Sequence, residues 1–296
     1  MSTDAPANPT PFRTPPANAR AFGLDPAVLA VVAERDHDAY VSAAPFPHAV
    51  LDNLFPPEIL DAVLEEFPSR DDVDWTVWDT TNELKFVCSD GRQLGPQTQA
   101  LMAELNSSVF VTFLEQLTGI EHLIPDPHFH AAGIFDIPQG GFLDIHADFS
   151  ANARLRLERR INVLLYLNHD WKDEYNGQLE LWSNKPRKKV ESISPIFNRV
   201  VVFNTTGQAL HGHPQPIQCP DGMSRKVLSA YYFTNGGVPL KESMAAHGVL
   251  FGDEIGEGRY RAKRIARMFV PPLAAEAARE VRQRIRNRKA GNRKAT

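Results

Sequence analysis

From Phe142 to Phe149 the chain reads Phe-Leu-Asp-Ile-His-Ala-Asp-Phe, and this alternation constrains the fold more than any other stretch. Successive side chains of an extended strand point to opposite faces. His146 and Asp148 therefore share one face, while Ile145, Ala147 and Phe149 share the other. A polar face carrying a histidine and a carboxylate, backed by apolar residues, is what two ligands of one metal need. Two further pieces follow in a workable order. His211 stands in His211-Gly212-His213-Pro214, just after the apolar strand Val200-Val201-Val202-Phe203, and Arg225 opens the strand Lys226 to Phe233.

Two histidines and one carboxylate on one side of a metal leave its other positions open, the facial arrangement of non-haem Fe(II) oxygenases. A guanidinium nearby suits a dicarboxylate, because arginine binds carboxylates through two parallel hydrogen bonds. The order His-x-Asp, a distal His, then an Arg 14 positions later resembles the Fe(II)/2-oxoglutarate dioxygenases, in particular their prolyl 4-hydroxylase-like branch. The resemblance spans roughly residues 128–235. It takes in the linking pattern Arg160-Ile161-Asn162-Val163-Leu164-Leu165-Tyr166-Leu167-Asn168, then Trp171, then Gly177-Gln178-Leu179-Glu180-Leu181-Trp182.

The resemblance implies His146, Asp148 and His211 as the metal-binding and catalytic triad, with Arg225 holding the distal carboxylate of 2-oxoglutarate. It favours His211 over His213, because members commonly read His-Gly-x-Pro with the first histidine as ligand. Pro214 also restricts the backbone of His213. His213 then becomes a residue behind the metal ligands or on the substrate side. Tyr166 is similar in position to a family tyrosine that donates a hydrogen bond to the same carboxylate; its alternative is a core aromatic with a satisfied hydroxyl. Lys226 rivals Arg225 but points to the other face of the strand. His128 and His130 form a second His-x-His with no suitably spaced carboxylate. His130 is left between the substrate pocket and an ordinary strand position, and Asp144 between the cavity mouth and a solvated strand end. The chain departs from the family in Phe135-Asp136-Ile137-Pro138-Gln139-Gly140-Gly141, which lacks the tyrosine many members carry before the Gly-rich turn.

The implied activity is hydroxylation of an unactivated C–H bond, with Fe(II), 2-oxoglutarate and O2 required, ascorbate as an optional reductant, and succinate and CO2 released. Retention of Asp148 argues against the related halogenases, which have a small residue there. The expected substrate is an amino acid or small natural product. Hydroxylation of a prolyl or other residue in a protein, and a metal-binding sensor or interaction module without turnover, stay open. A cupin-type isomerase or hydrolase would leave Arg225 unexplained.

The pattern along the chain predicts an α+β protein with a mainly β core, a double-stranded β-helix (jelly roll) with N-terminal supporting helices and a C-terminal helix. Residues 1–20 are Pro-rich and flexible, with no apolar segment of a signal peptide. The oxygenase domain is expected over 21–272, with helical support over 21–119 and the jelly-roll core over 120–240. Helices are expected from Pro26 to about His37, from Glu58 to Phe67, and as one long element from Pro96 to Gly119. Phe46 to Phe55 reads as a strand into a turn, and Pro68 to Gly95 as irregular.

No apolar run reaches the roughly 18 residues that cross a bilayer, so no membrane association is expected. Cys88 and Cys219 match no metal spacing, and a reduced cytoplasmic protein is the simple reading. The formal net charge of −4 hides a basic end: residues 259–296 carry 13 Lys and Arg against Glu276 and Glu280. Leu273, Ala277, Val281 and Ile285 mark an amphipathic helix within the tail, 273–296. Base-stacking aromatics are missing beyond Phe269, so nucleic acid is not an expected partner.

Overall fold

The computed structural model describes residues 24–152 and 155–236. The expectations for residues 1–20 and for the basic helix over 273–296 fall outside them. Among the described residues there are four α-helices and thirteen strands.

The first helix, α1 (Pro26–Ser42), starts where Asp25 accepts a hydrogen bond from the Ala27 N–H and Pro26 supplies the fixed φ of a first turn. Strand β1 (His48–Asp52) and helix α2 (Pro57–Glu65) follow. Two expectations then need correction. The segment read as irregular holds a hairpin, β2 (Thr76–Asp79) paired with β3 (Glu83–Cys88). The single long helix is two, α3 (Pro96–Leu105) and α4 (Ser108–Thr118). The break falls at Asn106-Ser107, where the Ser107 side chain caps α4 by accepting from the Phe110 N–H.

The remaining strands are β4 (Ile124–Pro125), β5 (Gly133–Pro138), β6 (Phe142–His146), β7 (Ala151–Asn152), β8 (Leu157–Tyr166), β9 (Leu179–Asn184), β10 (Arg187–Ile193), β11 (Arg199–Asn204), β12 (Leu210–His213) and β13 (Ser224–Thr234). All pairings are antiparallel. The strand order is β1-β11-β8-β13-β5-β3-β6-β12-β9-β10, a sheet that curls over on itself as a jelly roll does. The N-terminal half thus supplies more than helical support. β1 closes one edge against β11, and β3 bridges β5 to β6.

Apolar runs such as Val200 to Phe203 arise because both faces of the central strands are covered. Ile161, Val163, Leu165, Val200, Val202, Leu228 and Ala230 face the helices, where Leu60, Leu101, Phe110, Phe113 and Leu117 meet them. The alternate residues Leu164, Tyr166, Val201, Phe203 and Val227 face inward, against Leu179, Leu181 and Ala209 of the opposing wall. Tyr232 donates to the Leu105 carbonyl at 2.7 Å and Tyr40 to Asn204 at 2.6 Å, tying helices to sheet.

On the inner wall, β12 lies between β6 and β9, with His211 directly opposite His146. Gly212 is what lets β12 lie so close. A Cβ there would stand 2.7 Å from the Asp144 carbonyl oxygen and 2.8 Å from that of Leu143, inside contact distance of backbone that cannot swing away. Gly212→Ala is therefore expected to destabilise the protein by about 1–3 kcal/mol and to spread the two histidines. Urea denaturation would register the first effect, and a metal titration would register the second as weakened affinity.

Candidate active site

His146 ends β6, and Asp148 stands two residues beyond it, past the strand end. Pairing of β6 with β12 brings the rings of His146 and His211 to 4.5 Å between centroids. Nδ1 of His146 lies 2.9 Å from the Asp144 carbonyl, and Nδ1 of His211 lies 3.0 Å from that of Ala209. A carbonyl only accepts, so in each neutral ring the proton sits on Nδ1 and the lone pair on Nε2. The Nε2 atoms stand 3.6 and 3.7 Å from the Asp148 carboxylate oxygens. Ligand atoms of all three residues lie within 4.8 Å of one another, so one metal ion can be held by two oriented nitrogen lone pairs and an oxygen anion. Of the two rival histidines the structure brings His211 into this group and leaves His213 out.

The charge state suits a metal. Burial pushes the Asp148 pKa up, but Arg159, His211 and His146 outweigh it and hold the carboxyl well below the usual range. Burial lowers His211 from 6.5 to about 4 against the pull of Asp148, with the Arg159 cation adding to the lowering. The site is thus an ionised carboxylate beside an imidazole kept neutral, the protonation states that a divalent metal needs.

Arg159 and Asn162 hold Asp148, and neither was singled out from the sequence. Asn162 donates to the carboxylate at 3.1 Å. Arg159, fully enclosed, stands 3.0 Å from the same oxygen, with its guanidinium 3.3 Å from the centre of the Tyr231 ring and 4.4 Å from that of Phe149. Its Nε and Nη1 have no hydrogen-bond partner among the described residues. Alternation back from Asn162 puts Arg160 on this face instead. The consecutive β13 residues Tyr232 and Phe233 face Ile161 and Arg159, so Arg160 bulges out of β8 and interrupts the alternation.

Arg225 lies deeper along the same interior, 3% exposed. It donates to the Gly177 carbonyl at 2.8 Å and to the Tyr166 hydroxyl at 3.2 Å. Both partners are neutral, and among the described residues no carboxylate lies within ion-pair distance of it. A buried cation without a protein counter-ion is a vacancy of charge that a carboxylate ligand fills. Gly177, at φ +79°, leaves room for the arginine stem: a Cβ there would sit 3.1 Å from Arg225 Cδ. Asn168 stitches this end of β8 to β13, donating to the Lys226 carbonyl and accepting from the Lys226 N–H. Lys226 itself points away, over the Phe67 ring.

The other sequence candidates fare differently. His128 and His130 occupy a turn, not a strand. Asp126 accepts from both of their backbone N–H groups, and both side chains are exposed. Asp144 is half-buried and serves the site through its carbonyl.

Residues 130–233 match the family model described as the 2OG-Fe(II) oxygenase superfamily. Among solved structures the chain is similar to a prolyl hydroxylase from Trichoplax adhaerens, in complex with a hypoxia inducible factor oxygen degradation domain peptide fragment. The identity is 17% over 74% of this chain and 94% of that one, with a TM-score of 0.53. It is also similar to the non-haem, alpha-ketoglutarate-dependent epimerase SnoN from nogalamycin biosynthesis, at 12% identity over 71% and 84% of the two chains and a TM-score of 0.50. A Pseudomonas putida prolyl-4-hydroxylase matches at 20% identity over 70% of this chain and all of its own, with a TM-score of 0.48. At these identities the first two likenesses show the shared fold alone.

The lowered His211 pKa makes stability depend on pH. The unfolded chain takes up the proton near 6.5 and the folded one only near 4, so metal-free protein loses stability as pH falls through that window and the His211 contribution is exhausted below it. Urea midpoints of metal-free protein are expected to fall steadily between pH 7 and pH 4. His211→Asn is expected to flatten that slope.

Proposed function

We propose that this chain, whose residues 130–233 belong to the 2OG-Fe(II) oxygenase superfamily, is an Fe(II)- and 2-oxoglutarate-dependent dioxygenase hydroxylating an unactivated C–H bond. Its substrate is an amino acid or a small natural product. The observation that carries this reading is the pairing of two sites in one interior: a group of two histidines and a carboxylate, and a buried arginine lacking a counter-ion beside a tyrosine.

His146, Asp148 and His211 would hold the iron, and Arg225 with Tyr166 the far carboxylate of 2-oxoglutarate. Iron(II) with 2-oxoglutarate and O2 supplies the oxidising power that puts oxygen into a C–H bond, with succinate and CO2 as co-products. The chain's own residues orient and exclude water. The Asp144 and Ala209 carbonyls fix both imidazoles in the tautomer that offers Nε2, and Arg159 and Asn162 keep Asp148 ionised and aimed. The unpartnered Nε and Nη1 of Arg159 beside Asp148 support a substrate bearing a carbonyl or carboxylate oxygen near the reacting carbon, as an amino acid does. Cys88 and Cys219 are free thiols, which suits the reducing cytoplasm. No described helix is long and apolar enough to cross a membrane.

A hydroxylase of a prolyl or other protein residue is the second reading, and one observation favours it. β2 is exposed along its length, with Val77 and Trp78 presenting apolar surface on a hairpin whose other strand pairs with β6. Such an edge can take an extended peptide.

The test is succinate release by Fe(II)-loaded protein under air, against amino acids, small natural products and proline-containing peptides, with mass spectrometry for a product heavier by one oxygen. Turnover is expected with a small molecule and is abolished in His146→Ala, Asp148→Ala and His211→Ala. Turnover of peptides alone would install the second reading; metal binding with no succinate from any substrate would leave a binding module. Arg225→Ala is expected to raise the KM for 2-oxoglutarate roughly 10- to 100-fold while iron affinity stays unchanged, the cost of one charge-assisted bond.

A further inference from the structure

His213 is a buried histidine that the described residues leave unsatisfied. It follows the metal-site histidine by two positions on β12, so both side chains project to the interior face. The bulge between them sets His213 opposite Leu143 and not opposite the metal-site end of β6. The side chain is 3% exposed, and neither Nδ1 nor Nε2 has a hydrogen-bond partner among the described residues.

The other buried or site histidines behave differently. His48 uses both nitrogens, on the Phe46 carbonyl and Glu191. His146 and His211 each spend Nδ1 on a carbonyl and turn Nε2 toward Asp148. A structural histidine in this fold is bonded; His213 is the exception. Its nitrogens also take no part in the group that gathers His146, Asp148 and His211. The large majority of buried polar groups in native proteins are satisfied, by protein, ordered water or a bound ligand.

The surroundings indicate which ligand. An imidazole in its neutral form offers one N–H and one lone pair. Arg225 is the foremost charged group acting on His213, and among the described residues no carboxylate lies within ion-pair distance of Arg225. Tyr166 accepts from Arg225 through its oxygen, which leaves the phenolic proton to donate. His213, Arg225 and Tyr166 are three buried donors of different kinds, and among the described residues none is paired with a carboxylate.

We propose that His213 is a cosubstrate-binding residue: its N–H, with Arg225 and Tyr166, takes the distal carboxylate of 2-oxoglutarate and makes the site select a dicarboxylate over a monocarboxylate 2-oxo acid. This rests on the dioxygenase reading above.

The experiment is isothermal titration calorimetry of the full chain loaded with Mn(II), titrated with 2-oxoglutarate and, separately, with 2-oxobutanoate, which lacks the distal carboxylate. His213→Phe keeps a ring but has no donor; His213→Gln keeps an N–H. His213→Phe is expected to weaken 2-oxoglutarate binding about tenfold, His213→Gln to stay within about threefold of the parent, and 2-oxobutanoate binding to be the same in all three. Mn(II) affinity is expected to be unchanged. If His213→Phe does not fold by circular dichroism, His213→Leu carries the same comparison. Equal weakening of both 2-oxo acids, unchanged 2-oxoglutarate affinity, or loss of the metal would each overturn the assignment. A parent protein that binds no 2-oxoglutarate would overturn the dioxygenase reading as well, whereas a parent that binds it and a His213→Phe that binds it equally well overturns only this inference.

Discussion

Antiparallel pairing of β6 with β12 is the constraint on which the site depends. It sets His211 across from His146, and it does so only because Gly212 lets the strands close to backbone contact. Each imidazole is then locked by a carbonyl two residues back on its own chain, Asp144 for His146 and Ala209 for His211. The same local device, used twice, orients both Nε2 atoms without any side-chain partner. Rigid backbone sets the geometry, which is what a site needing accuracy of a fraction of an ångström requires.

Charge is distributed along the interior in a matching order. At the metal end an ionised Asp148 is balanced by Arg159, and the neighbouring His211 is neutral. On the facing strands the buried Arg225 donates to Tyr166 and has no anionic partner among the described residues. A dicarboxylate reaching from the metal to Arg225 would complete the balance. The interior thus sets a cluster of two histidines and a carboxylate on the β6–β12 wall and a buried arginine on the β8–β13 wall.

Much of this was legible in the sequence because it rests on periodicity. Alternation in Ser224–Thr234 turned Arg225 inward and Lys226 outward, as the strand does; His146 and Asp148 do meet, although β6 ends at His146 and Asp148 lies beyond it. What escaped depends on departures from periodicity. Arg159 lies next to a bulge in β8, where Arg160 is left without a partner on β13 and the alternation that would have favoured Arg160 is broken. The hairpin of β2 and β3 was hidden by its aromatic, irregular-looking composition, although Thr76-Val77-Trp78 and Leu84-Lys85-Phe86-Val87 flank a polar turn. The break between α3 and α4 follows from capping by Ser107, a signal that the continuous apolar stripe of Leu101 to Leu117 overrode. The unsatisfied state of His213 has no sequence signature at all, since it is a property of what surrounds the ring.

The most direct test of the account is a crystal structure of the anaerobic Fe(II) and 2-oxoglutarate complex, with anomalous scattering recorded at the iron edge. The account predicts a single iron peak bound by Nε2 of His146, Nε2 of His211 and a carboxylate oxygen of Asp148, with 2-oxoglutarate running from the metal to Arg225. Iron bound by His213 in place of His211, or 2-oxoglutarate seated away from Arg225, would contradict it.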